Sequence, residues 1–163
     1  MTNDGRAVAN FILDYCDSKG RTLTNVAMQK VIYFCHAWSL IKLNKPLVNQ
    51  NFEAWQYGPV LQYLYHEFKE FDRSPITSRA HAMNMKTGRK EIASQEFDQQ
   101  TTELLKEAVD FYSPMSPFYL VELSHVEGGP WDKVWNNGGK VNPGMQIDNK
   151  AIAEYYAAVE RPQ

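Results

Sequence analysis

A chain of 163 residues has the length of one ordinary domain. Its 44% hydrophobic and 22% charged residues sit at globular averages, which excludes disordered, collagen-like and coiled-coil classes. A net charge of −2 leaves no general footprint for nucleic acid, and two cysteines, Cys16 and Cys35, are too few for a disulfide scaffold or a four-thiolate zinc site. Both lie in apolar stretches and read as inert core thiols. No apolar run approaches the ~18 residues of a membrane span. The opening Met1–Arg6 lacks the layout of a signal peptide, so the cytoplasm is the expected location and no membrane partner is expected.

Val8, Phe11, Ile12 and Tyr15 recur at three- and four-residue steps and predict a helix over 4–17, stopped by Gly20. Thr24 is placed to cap a longer helix over 25–43. Thirteen of the 18 residues from Val26 to Leu43 are apolar, and Gln29, Lys30, His36, Ser39 and Lys42 do not gather on one face. A helix apolar nearly all round is a central one. The stretch 52–57 reads as extended, and Gly58-Pro59 breaks it, with Pro59 at the first turn of a helix over 59–71. Val60, Leu64, Phe68 and Phe71 form that helix's apolar side.

Residues 76–92 read as a β-hairpin turning through Lys86-Thr87-Gly88-Arg89. Helical periodicity returns over 98–112, and Ser116-Pro117 opens a short helix through His125. Glu127–Pro130 is a tight loop, Trp131–Trp135 a helical turn or two, and Asn136–Gly144 a loop. Asp148 caps a last helix with Ile152, Tyr155, Tyr156 and Val159 on its face. The expected fold is mainly α, a single compact domain over 1–163. It has about six helices around a central apolar helix and a small inserted β-hairpin.

Catalytic signatures are sparse. His66-Glu67 begins like a zinc-protease motif, but the second histidine would fall at position 70, which is Glu70. No glycine pattern for cradling phosphates is present. Cys35-His36 and Ser124-His125 are adjacent pairs, and consecutive helical residues point about 100° apart, so neither forms a working dyad. The basic cluster Arg79, His81, Lys86, Arg89 and Lys90 reads as a solvated strand edge, and nucleic acid is not an expected partner.

Three irregular motifs go beyond helix periodicity. They are the run from Met28 to Trp38 (MQKVIYFCHAW), the run from Phe52 to Val60 (FEAWQYGPV) and the run from Glu122 to Trp131 (ELSHVEGGPW). In this order and spacing they resemble the Panacea domain, the SocA-like antitoxin family that includes the phage-associated GepA proteins. The resemblance covers about residues 24–157. Departures are modest: Met28 stands where Leu is common, Ser124 for Thr, and Gly129 for a small polar residue.

The resemblance implies an antitoxin that neutralises a cognate, adjacently encoded protein toxin by direct contact, without cofactor and without enzymatic activity. A related branch implies an adaptor that delivers the toxin to an AAA+ protease. The rival from another class is a hydrolase using His125 or His66. The family-motif residues, structural or toxin-binding, are Lys30, Tyr33, His36, Trp38, Glu53, Trp55, Tyr57, Gly58, Pro59, His125, Pro130 and Trp131; none is assigned a catalytic, metal or cofactor role. Trp38 is expected in the core. His125 and Trp131 are expected to lock a buried corner through an imidazole hydrogen bond.

Overall fold

The computed structural model describes residues 2–136 and 143–159. Its elements in chain order are α1 (Gly5–Ser18), α2 (Asn25–Trp38), β1 (Phe52–Trp55), β2 (Gly58–Val60), α3 (Gln62–Phe68), β3 (His81–Met83), β4 (Lys90–Ile92), α4 (Gln99–Tyr112), α5 (Pro117–Ser124), α6 (Pro130–Trp135), β5 (Gln146–Ile147) and α7 (Asn149–Ala158). The described residues form a mostly helical domain with seven α-helices, one more than the periodicity suggested, and two small antiparallel sheets.

Five of the helices start where a side chain accepts an orphan amide hydrogen. Asp4 takes that of Arg6, Thr24 that of Ala27, Asp98 that of Thr101, Ser116 that of Tyr119 and Asp148 that of Lys150. These are the caps read from the sequence at Thr24, Ser116 and Asp148. Beyond Trp38 the central helix widens into a π-type turn over Ser39–Leu43. It stops at Asn44, which adopts a left-handed conformation at φ 55°.

Thirteen of the fourteen α2 residues are buried, as a central helix requires. It packs against α1, α3, α4, α5, α7 and β2. Around it lie the largest buried rings: Phe34 stacks on Tyr112 at 4.6 Å, and Tyr33 meets Phe52 and Tyr156 edge-on at 5.3 and 6.2 Å. On the far side of the core, buried Asn10 of α1 donates to the carbonyls of Ala80 and Ala93 and accepts from the Ala80 amide. That one side chain ties the base of the β3–β4 hairpin to α1. The strands pair from His81↔Ile92 to Met83↔Lys90. The turn is closed by Asn84 and Arg89 and so comprises 85–88, one residue earlier than the sequence suggested.

Two expectations are corrected. Pro59 does not open a helix: it lies in β2, paired with Ala54, and α3 begins three residues later at Gln62. Both β1 and β2 belong to a three-stranded sheet of order β2-β1-β5, which the sequence reading lacked. Pro59 is tolerated there because β2 is an edge strand, where a missing amide hydrogen need not break a ladder. Of the apolar face read on α7, Ile152 and Tyr156 are buried, but Val159 is 43% exposed. Most of the loop expected over 136–144 lies outside the described residues.

Two of the five glycines at positive φ contrast in their surroundings. Gly58 has φ +110°, and a Cβ there would meet Lys30 Cε at 2.5 Å and Ser124 Oγ at 2.6 Å. Gly20 has φ +69° and nothing within 4 Å. Gly20→Ala is expected to cost about 1–2 kcal/mol from the backbone alone. Gly58→Ala adds overpacking and should cost about 2–5 kcal/mol. Denaturant unfolding of the two variants measures the difference.

Candidate functional site

The three sequence motifs converge on one corner, and the polar edge of α2 organises it. Asn25 donates to the Tyr65 carbonyl at 3.0 Å. Gln29 donates to Asn25 at 3.1 Å and accepts the Leu61 amide at 3.0 Å. Lys30 donates from Nζ to the Pro59 carbonyl at 3.0 Å. Since α3 has no side-chain cap of its own, these buried groups of α2 hold the irregular backbone between β2 and α3.

The third motif closes the corner. Trp131, 5% exposed, donates its indole N–H to the Trp55 carbonyl at 2.7 Å and stacks flat on His125 with ring centres 3.7 Å apart. The corner is therefore locked by ring stacking and the indole bond. The imidazole bond expected there is not seen at His125 Nε2, which is buried without a hydrogen-bond partner. Burial, followed by the nearby positive Lys30, lowers the His125 pKa. Pro130 is buried at the start of α6, and Asp132 accepts the Gly128 amide at 2.8 Å.

Beside this corner lies a groove of about 500 Å³ between α2, the β1–β2 turn and the end of α3. Lys30 lies at its floor, 1% exposed, with its pKa lowered by burial to about 7. Trp55, Tyr57 and Tyr65 supply aromatic walls, and Trp55 packs edge-on against Tyr65 at 5.0 Å while its indole donates to Glu53. Tyr57 is 61% exposed at the two-residue β1–β2 turn. The wall and rim residues Tyr65, Lys69 and Arg73 were not singled out from the sequence, because nothing local tells that the end of α3 folds back beside α2. A signal for the floor was present: Asn25 and Gln29 form an i, i+4 polar pair in an otherwise apolar helix.

The remaining residues of the first motif face elsewhere. Tyr33 and Trp38 are core residues, Trp38 donating to the Tyr112 hydroxyl at 3.2 Å. His36 is fully buried. Its Nδ1 accepts the amides of Leu47 and Val48, so Nε2 carries the proton and donates to Asn149 at 2.8 Å. Burial lowers its pKa to about 4.

Candidate nucleophiles are committed to structure. Ser124 Oγ donates to the Val121 carbonyl at 2.8 Å, and both cysteines are buried free thiols whose pKa burial raises. His66 is exposed on α3, and among the described residues no three His, Cys, Asp or Glu side chains group to hold a metal. Within the basic cluster, Arg79 is held by Asp14 and Asp17 of α1, which leaves a smaller cationic edge on the hairpin. Among the described residues, no helix is long and apolar enough to cross a membrane.

The structure is thus a mostly helical domain whose three sequence motifs knit one helix to a strand–helix junction. Comparison of the sequence with known proteins identifies its family. The family model "Antitoxin SocA-like, Panacea domain" matches residues 28–132. Antitoxin SocA of Caulobacter vibrioides (strain NA1000 / CB15N) is 36% identical over 154 residues, 94% of this chain and 82% of that protein. No solved structure matches. The chain belongs to the SocA-like Panacea-domain antitoxin family and is a homologue of antitoxin SocA.

The buried histidine gives stability a pH dependence. Between about pH 6.5 and about 4 the unfolded chain takes up a proton at His36 that the folded protein refuses. Stability therefore falls as pH drops through that window, by about 3 kcal/mol from this group. His36→Gln should be less stable at neutral pH and show a flatter slope from 6.5 to 4, read by urea unfolding at several pH values. Trp131→Ala should cost about 3–5 kcal/mol, through lost ring burial and a Trp55 carbonyl left without its donor. A melting temperature equal to the parent's would contradict that role.

Proposed function

We propose that this protein is an antitoxin that neutralises a cognate protein toxin by direct, stoichiometric contact, without cofactor or catalysis. The observation that carries this reading is the similarity to antitoxin SocA across 94% of the chain. The chemistry supports it, since Ser124, Cys16 and Cys35 are tied into the fold or buried away from any substrate. Two unpaired thiols suit action in the cytoplasm, where disulfides are disfavoured. Most family-motif residues build the domain, and the toxin is engaged by the few that reach the surface or the groove together with exposed positions around them.

The test is co-expression with the neighbouring gene. The protein alone should leave growth unchanged, and it should restore growth to cells producing the cognate toxin. The two chains should co-purify at a fixed ratio. A toxin whose level collapses only when an AAA+ protease is present would reassign the protein as a delivery adaptor. Failure to rescue or bind any co-inherited toxin would overturn the reading.

A further inference from the structure

The groove beside the motif corner holds a lysine amine without a counter-ion, and a bound carboxylate would favour its charged form. Lys30 Nζ has three donor hydrogens, and the Pro59 carbonyl takes one of them. Among the described residues no carboxylate pairs with it, and burial lowers its pKa. The neighbouring polar side chains of the floor are already spent, Gln29 between Asn25 and the Leu61 amide, Asn25 on the Tyr65 carbonyl. The bond to the Pro59 carbonyl gives Lys30 a structural role, but it uses only one of the three donors.

The rim repeats the sign of the floor. Lys69 and Arg73 are exposed along the groove, and neither belongs to an ion pair among the described residues; Asp72 is the one carboxylate that lines it. Between rim and floor stand Trp55 and Tyr57, rigid amphipathic rings of the kind that anchor protein interfaces. At about 500 Å³ the space takes a side chain or two, and is too small for a folded element.

We propose that this groove receives an acidic side chain, followed by an aromatic one, from an extended segment of the protein partner. The carboxylate is drawn to Lys30 and the ring lies against Trp55 and Tyr57. A carboxylate matches the single charge on the floor. A phosphate brings close to two charges and three acceptor oxygens to one ammonium beside a carbonyl, a poorer fit. The identity of the partner as a toxin rests on the antitoxin reading, whereas the groove's preference for a carboxylate does not.

Two measurements test the proposal separately from that reading. In the first, the isolated protein is titrated with N-acetyl-Asp-Phe-amide, N-acetyl-Asn-Phe-amide and AMP while the Trp55 indole and the Val26 and Val60 methyl signals are followed by NMR. The Asp peptide should shift these signals saturably, and the Asn peptide should bind at least about tenfold more weakly. Lys30→Met should abolish the difference, with its fold checked by the same spectra because the Pro59 carbonyl loses its donor. Equal response to both peptides, no response, or saturation by AMP alone would overturn the proposal, the last in favour of a nucleotide.

In the second, the toxin co-purified from the neighbouring gene is bound to rim variants, which decide the matter even if Lys30→Met fails to fold. Tyr57→Ala and the Lys69→Glu, Arg73→Glu pair should each weaken binding about tenfold or more. Phe118→Ala, at an exposed position on α5, should not. A toxin that binds the parent and all groove variants alike sinks the groove and leaves the antitoxin reading standing. Saturation by the Asp peptide in a protein that binds no toxin does the reverse.

Discussion

The structure depends on how α2 spends its few polar side chains. A helix at the centre of a domain has no solvent side, so each polar residue on it must find a partner inside the core. Asn25, Gln29 and Lys30 find theirs in backbone groups of 59–65, and His36 finds its own in the amides of Leu47 and Val48. These are the segments that regular secondary structure leaves unsatisfied. The polar residues of α2 therefore act as external caps, and they let an abrupt strand-to-helix turn be buried at all.

Around that arrangement the close approach at Gly58 fixes the three motifs to one another. With a Cβ excluded there, the Lys30 stem and Ser124 can both press against the β1–β2 hairpin. Trp131 then reaches across from α6 to the carbonyl of Trp55, which faces Gly58 on the other strand of the same hairpin. A short two-residue turn is thus gripped by α2, α5 and α6 where Tyr57 projects into solvent. Rigid presentation of an exposed ring lowers the ordering cost of binding through it.

The helices were legible in the sequence because their signals are local. Periodicity and the caps Thr24, Ser116 and Asp148 each lie within a few residues of what they specify. What was not legible depends on pairing at a distance. β5 joins β1 across some ninety residues, and a two-residue strand has no pattern of its own. Pro59 misled for a related reason: Gly-Pro ahead of an apolar run fits a helix start and an edge strand equally well. The choice is made by the partner strand and by Gln29, which supplies the cap at Leu61. The candidate site fell between these cases. Its motif residues could be named from the sequence, but the groove they border is completed by Lys69 and Arg73, whose spacing carries no signal of that role.

Burial also separates what the motifs identify from what a partner can touch. Tyr33, His36, Trp38 and Trp131 are at most 5% exposed, so their chemistry is spent on the fold and not on contact. Substituting them changes recognition through stability, because a protein of typical stability, about 5–15 kcal/mol, loses much of it with one large buried ring. Lys30 differs from these residues in lining the groove. It is as buried as its neighbours, but it keeps donors unspent and a charge unpaired next to open space. His36, one helical face away, shows the contrast: it was placed in an equally dry site, and both of its nitrogens are satisfied. The fold satisfies both nitrogens of His36 and ties Asn25 and Gln29 to backbone, whereas Lys30 borders the groove with donors left over that an acidic partner would satisfy.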